Sequence, residues 1–156
     1  MNLDTLDKAI LSALLDDGRL SQVDLAERVP LSPTAIARRI KALEDAGIIE
    51  GYQAQISQKA LDLNMIVIVH ISLKEQTTDL LAAFEKAVAA APSIVCCHLM
   101  SGEDDYQLTV LARDLADYER IHKEQLSRLP GIARLRSSFA LRTIVSRTLP
   151  AHALKP

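Results

Sequence analysis

The chain has 156 residues, 49% hydrophobic and 24% charged, which suits one ordinary folded domain or two small ones and excludes a disordered or collagen-like chain. A formal net charge of -2 excludes a uniformly basic nucleic-acid binder but not a locally basic one. The longest apolar run, residues 65–73, is too short to span a membrane as a helix, and the opening residues lack a basic-then-apolar leader pattern, so a cytoplasmic location and no membrane partner are expected.

The first helix is carried by Leu3, Leu6, Ile10, Leu11, Leu14 and Leu15, which recur at three- and four-residue steps, and Asp16, Asp17 and Gly18 end it. The second starts at Ser21 as N-cap, with Asp24 in a weak capping box; its apolar face is Val23, Leu25, Ala26 and Val29, and it stops before Pro30. In the third, Ser32 is the cap and Pro33 the first helical residue. Its buried stripe is Ile36, Ile40 and Leu43, and Gly47 ends it. The tight connection at Val29, Pro30 and Leu31 makes a helix-turn-helix. Residues 48–52 read as extended, the start of a wing.

Residues 1–50 carry six basic residues against nine acidic ones, yet residues 32–43 hold Arg38, Arg39 and Lys41 and no acid. A helix that enters the major groove of double-stranded DNA needs such a face. Ser32 and Thr34 sit where hydroxyls and free backbone N–H groups reach phosphate. The candidate DNA-binding residues are Ser32, Thr34, Arg38, Arg39 and Lys41. One arginine could read bases while the other holds phosphate; the sequence does not say which.

Beyond a connecting stretch at 52–63, isoleucine- and valine-rich residues 65–73 predict a strand. Residues 78–90 predict a helix, 94–100 and 106–111 strands around an acidic turn, 114–128 a helix, and 132–145 a long last strand with arginines on one face. The order strand, helix, strand, strand, helix, strand is the split βαβ, ferredoxin-like pattern. The expected fold is therefore α+β: a winged helix-turn-helix over 1–51, a linker over 52–63, and a ferredoxin-like domain over 64–149. Two helices cover one sheet face only, and the other looks too apolar for water, so sheet-to-sheet or edge-to-edge dimerisation is expected.

Cys96 and Cys97 are neighbours on a strand, pointing to opposite faces, and read as small buried hydrophobes and not as a disulfide or zinc site. His70, His98 and His122 read as structural. Glu103, Asp104 and Asp105 form either a solvated hairpin turn or a site for a positively charged group. No phosphate loop, nucleophile elbow, metal set or paired general acid and base is present, so no cofactor and no catalytic residue is expected. Two alternatives to a ligand-responsive regulator stand: a DNA-organising oligomer without effector, and a small-molecule enzyme with an accessory DNA-binding-like domain.

With Leu31 and Ser32 before the third helix, Leu43-Glu44-x-x-Gly47-Ile48-Ile49 after it, and Ser101-Gly102-Glu103-x-Asp105-Tyr106 further on, the chain resembles the Lrp/AsnC family of transcription regulators. The resemblance runs from about Leu3 to Leu149. It implies a winged helix-turn-helix joined to an effector-binding domain, homodimers that assemble further, commonly to octamers, and control by small molecules, usually amino acids. It implies an effector site between dimers near the turn joining the second and third strands. The matching residues are Gly102, Glu103, Asp105 and Tyr106, with Arg136, Ser137 and Ser138 of the last strand nearby. The segment Ala35-Ile36-Ala37 lacks the cysteine often found there in the family, which leaves the target sequence open.

Overall fold

Helix starts in the first fifty residues are fixed by side chains. In this computed structural model, which describes residues 2–150 and 152–154, α1 (Thr5–Asp16) opens on a reciprocal box: Asp7 N–H donates to the Asp4 carboxylate and Asp4 N–H to Asp7. Ser21 and Asp24 do the same for α2 (Gln22–Arg28), so the box expected to be weak is complete. Ala35 N–H donates to Ser32 Oγ at the start of α3 (Pro33–Asp45). Such caps contribute about 1 kcal/mol each. Gly47, at φ 67°, turns the chain so that Ile48 and Ile49 N–H return to the Leu43 carbonyl.

The three helices close on Ile10, Ala13, Leu25, Val29 and Ile36. Two expected core positions lie outside: Leu15 is 48% and Val23 63% exposed. The inward positions here are Leu25 of α2 and Val29, the C-cap that follows it, and Val23 sits two residues before Leu25, about 200° around the helix. Residues 48–57 form no paired strand, since the described strands all belong to one sheet elsewhere in the chain.

The chain divides into two units, one built on the residues up to Gln55 with the tail from Val145, the other on Ile56–Ile144. The division falls inside the expected linker, but the last residues of the expected second domain group with the first unit.

The second unit has β1 (Met65–Leu73), α4 (Thr78–Ala90), β2 (Ile94–Leu99), β3 (Tyr106–Ala112), α5 (Leu115–Glu124) and β4 (Ile132–Phe139). The sheet order is β2-β3-β1-β4, all antiparallel, as the split βαβ pattern requires. Alternation along β1 buries Val67, Val69, Ile71 and Leu73 against Phe84 and Val88 of α4 and Tyr118 and Ile121 of α5. Each such side chain contributes roughly 1.5–3 kcal/mol. Gly131, at φ 72°, lets the chain pass under α4; a Cβ there would stand 2.5 Å from Leu80 Cδ1.

The second helix is shorter than expected: α5 stops at Glu124 and one 3-10 turn, Leu126–Arg128, follows. The last strand stops at Phe139, not near 145. It runs antiparallel to β1, Ala140 N–H still donates to the Ile66 carbonyl, and β1 begins at Met65, so its partner runs out.

The open face of the sheet is graded. His98, Gln107, His70 and Arg136 form one cross-strand row, Cys96, Thr109, Ile68 and Ser138 the next, and Leu111 and Ile66 the last. This corrects the expectation of an apolar face throughout. The run 65–73 is apolar because half of it lies under the helices, while its outward half ends in His70 and Ser72. Among the described residues no helix is long and apolar enough to cross a membrane.

Candidate DNA and effector sites

Helical geometry sorts the cations of α3. At about 100° per residue, Thr34, Arg38 and Lys41 fall within one exposed strip, opposite the buried Ile36 and Leu43. Asp45 shares the strip and accepts from Lys41 Nζ at 3.3 Å, an exposed pair that screening makes weak. Arg38 forms no ion pair among the described residues. Ser32 is exposed and already accepts from Ala35 N–H, leaving its hydroxyl proton to donate outward.

Arg39 differs from its neighbour. Its Nη1 donates to Asp7 Oδ1 at 2.6 Å and to Asp4 Oδ2 at 2.8 Å, and the Asp7 side chain is only 4% exposed. The acids that cap α1 therefore also hold α3. Hydrogen bonding from Asp7 N–H, with Arg39 adding to it, keeps the Asp4 carboxyl below its ordinary range. Arg38 and Arg39, expected as alternative readers, point to different surroundings.

The expected effector residues are likewise separated. Gly102 and Glu103 stand exposed at the tip of the β2–β3 turn, Gly102 at φ 146°. Asp105 faces inward: its carboxylate accepts from Leu73 N–H at 2.6 Å and from Gln76 Nε2 at 2.5 Å, pinning the turn to the end of β1. Tyr106 is buried on Phe84, ring centroids 4.5 Å apart, and its hydroxyl donates to Glu85; burial, then Glu85, pushes the phenol up. Ser137 shares a hydrogen bond with Tyr118 on the helix side of the sheet, whereas Arg136 and Ser138 lie on the open side. Tyr106 and Ser137 are thus not brought together with Gly102, Glu103, Arg136 and Ser138.

Asp104 joins these residues and was not among the expected ones. It lies within hydrogen-bonding or ion-pair distance of Arg136 (2.9 Å), His70 Nδ1 (3.2 Å), Ser72 Oγ (3.3 Å) and Arg134 (3.5 Å), and Arg134 also donates to Glu103 at 2.8 Å. The available signal was the acidic triplet in one turn together with arginines two apart on a strand.

Fold and surface together define a DNA-binding regulator: a helix-turn-helix with a basic outer strip, carried with a sheet domain that gathers charge at one turn. Residues 3–50 match the family profile of a winged helix-turn-helix DNA-binding domain, and residues 66–150 that of the Lrp/AsnC ligand binding domain. The chain is 43% identical to the Bkd operon transcriptional regulator of Pseudomonas aeruginosa, over 95% of this chain and 97% of that protein. It is 38% identical to the leucine-responsive regulatory protein of Escherichia coli, over 92% and 87%. A crystal structure of a Neisseria meningitidis transcriptional regulator in complex with L-methionine superposes with a TM-score of 0.90 at 35% identity, over 96% and 97%. The chain belongs to the Lrp/AsnC family of transcription regulators. It is a regulator and not an enzyme, which removes the enzymatic alternative.

Proposed function

We propose that this cytoplasmic homodimer reads double-stranded DNA with the Ser32, Thr34, Arg38 and Lys41 strip of α3 and changes its binding when an amino acid occupies the β2–β3 turn. The observation that carries the DNA part is Arg38: exposed, without an ion pair among the described residues, on the outer strip of the capped third helix. Arg39 acts here as a positioning residue, orienting α3 through Asp7 and Asp4. Two copies bring two such strips to two half-sites, which so small a basic surface needs.

For the effector, the supporting observation is charge of both signs at one exposed turn: Glu103 and Asp104 beside Arg134 and Arg136. An amino acid is a zwitterion, with a carboxylate for an arginine fork and an ammonium for a carboxylate. The Neisseria relative was crystallised with L-methionine. In this reading Gly102, Glu103, Arg136 and Ser138 face the ligand, Asp105 shapes the turn, and Tyr106 and Ser137 support the sheet from beneath. The open sheet face, apolar at the Ile66 and Leu111 end, is the dimer surface, and higher assembly up to octamers builds on it.

The test uses a mapped genomic target. Arg38→Ala is expected to weaken binding by about 1–3 kcal/mol per half-site and to flatten the salt dependence by about one counterion. Unchanged affinity and slope would overturn the strip. Calorimetric titration with L-methionine and a panel of other amino acids is expected to give saturable heat, lost in Arg136→Ala. No heat from any of them, with DNA binding intact, would favour the organising oligomer without effector. Sedimentation at rising concentration reads the dimer and any larger assembly.

A further inference from the structure

One acid of the turn cluster is shielded while its neighbours are not. The Asp104 side chain is 13% exposed, against 76% for Glu103 and about half for Arg134 and Arg136. It sits beneath them. Its Oδ2 accepts from Arg136 Nη2 at 2.9 Å and lies 3.2 Å from His70 Nδ1, while its Oδ1 accepts from Ser72 Oγ at 3.3 Å and lies 3.5 Å from Arg134 Nη2. Both arginines use Nη2 for these contacts and for Glu103; Nη1 and Nε of each guanidinium make no hydrogen bond or ion pair among the described residues.

A ligand carboxylate can therefore join the open side of either guanidinium while Asp104 stays in place. Two guanidiniums then serve three carboxylates, those of Glu103, Asp104 and the ligand. Asp105 supplies no cation, since its own carboxylate turns to Leu73 N–H and Gln76. The excess negative charge is centred on a carboxylate held mostly out of water, where screening is poor. An ammonium on the ligand removes the excess; an acid without one cannot. We infer, on the effector reading of this turn, that Asp104 determines specificity there: as a fixed counter-charge beneath the arginines, it selects amino acids over carboxylic acids that carry no amino group. Asp104 acts from below and needs no access to solvent. Glu103 cannot replace it, because water screens so exposed a pair and Glu103 can leave Arg134 at little cost.

The test is calorimetric titration of the full chain with L-methionine and L-leucine, each against its desamino acid. Wild type is expected to bind the desamino acids about 10-fold more weakly than the amino acids. Asp104→Asn removes the charge and keeps an acceptor for Arg136 and Ser72. It is expected to raise desamino-acid affinity about 10-fold and to leave amino-acid affinity within about 3-fold, because what the carboxylate gains the ammonium loses. Asp104→Glu, with the charge kept, should keep the wild-type selectivity, and Glu103→Gln should shift it less than Asp104→Asn does. Circular dichroism checks folding, and Asp104→Ser is the second neutral variant if the amide does not fold. Three results overturn the inference and leave the effector site standing: equal binding of both acids by wild type, unchanged desamino-acid affinity in the neutral variants, or neutral variants that lose the amino acids alone. Absence of heat from either amino acid in every variant also overturns it, and the effector reading itself falls only if the wider amino-acid panel is silent too.

Discussion

Each unit holds a cluster of acids and arginines, and the two clusters differ in how far their arginines reach into water. In the first, Arg39 is 28% exposed and bridges Asp4 to the nearly buried Asp7, joining two helices. In the second, Arg134 and Arg136 are each about half exposed and meet the solvated Glu103 and Asp104, itself only 13% exposed, at a turn. A charge shielded from water must keep its partner, because losing it leaves an uncompensated ion. A pair in water exchanges partners at little cost. The first cluster therefore fixes geometry; in the second the exposed arginines and Glu103 can exchange partners at little cost, while the shielded Asp104 keeps several at once.

The most damaging change should fall on the first cluster. Asp7→Ala removes the N3 member of the α1 box and the better-buried anchor of Arg39 together. It should lower the stability of the first unit by about 2 kcal/mol, read by urea unfolding. DNA affinity should fall with stability, while the salt slope stays near wild type because no phosphate contact is lost. A slope that drops as it does for Arg38→Ala would make Arg39 a phosphate ligand and collapse the contrast between the clusters.

Asp105→Ala should act next. Its carboxylate is the acceptor for Leu73 N–H and Gln76, so its loss releases the turn from β1. A destabilisation of about 1–2 kcal/mol is expected, with effector binding weakened through the loosened turn. If stability is untouched and only the effector is lost, Asp105 is a ligand contact and not the shaper of the loop.

Local signals were legible in the sequence and distant partners were not. The caps at Ser21 and Ser32 and the split βαβ order could be read because each depends on neighbours within a few residues or on alternation along one strand. Arg39 could not be assigned a partner, since Asp4 lies 35 residues away and Asp7 32. Its position did carry a hint, three residues after Ile36 and four before Leu43, at the margin of the buried stripe. The acidic turn was legible as a place, but which acid faced outward depended on Leu73, Gln76, His70 and two arginines, all about thirty residues off. The end of β4 depended on where β1 begins, which composition around 140 does not reveal.

The smallest effect on stability should come from Arg134→Ala. Arg134 meets Glu103, itself 76% exposed, and its second contact, to Asp104 at 3.5 Å, is the longest in the cluster. After its removal Asp104 still has Arg136, His70 and Ser72, so no buried charge is left alone. The unfolding midpoint should not move, at low salt or high, whereas amino-acid affinity should fall, because the site has lost a cation a carboxylate could use. The two readings part cleanly here. A midpoint drop as large as that of Asp7→Ala would mean that the second cluster is also a structural clasp, and the effector would then have to find its charges elsewhere on the sheet.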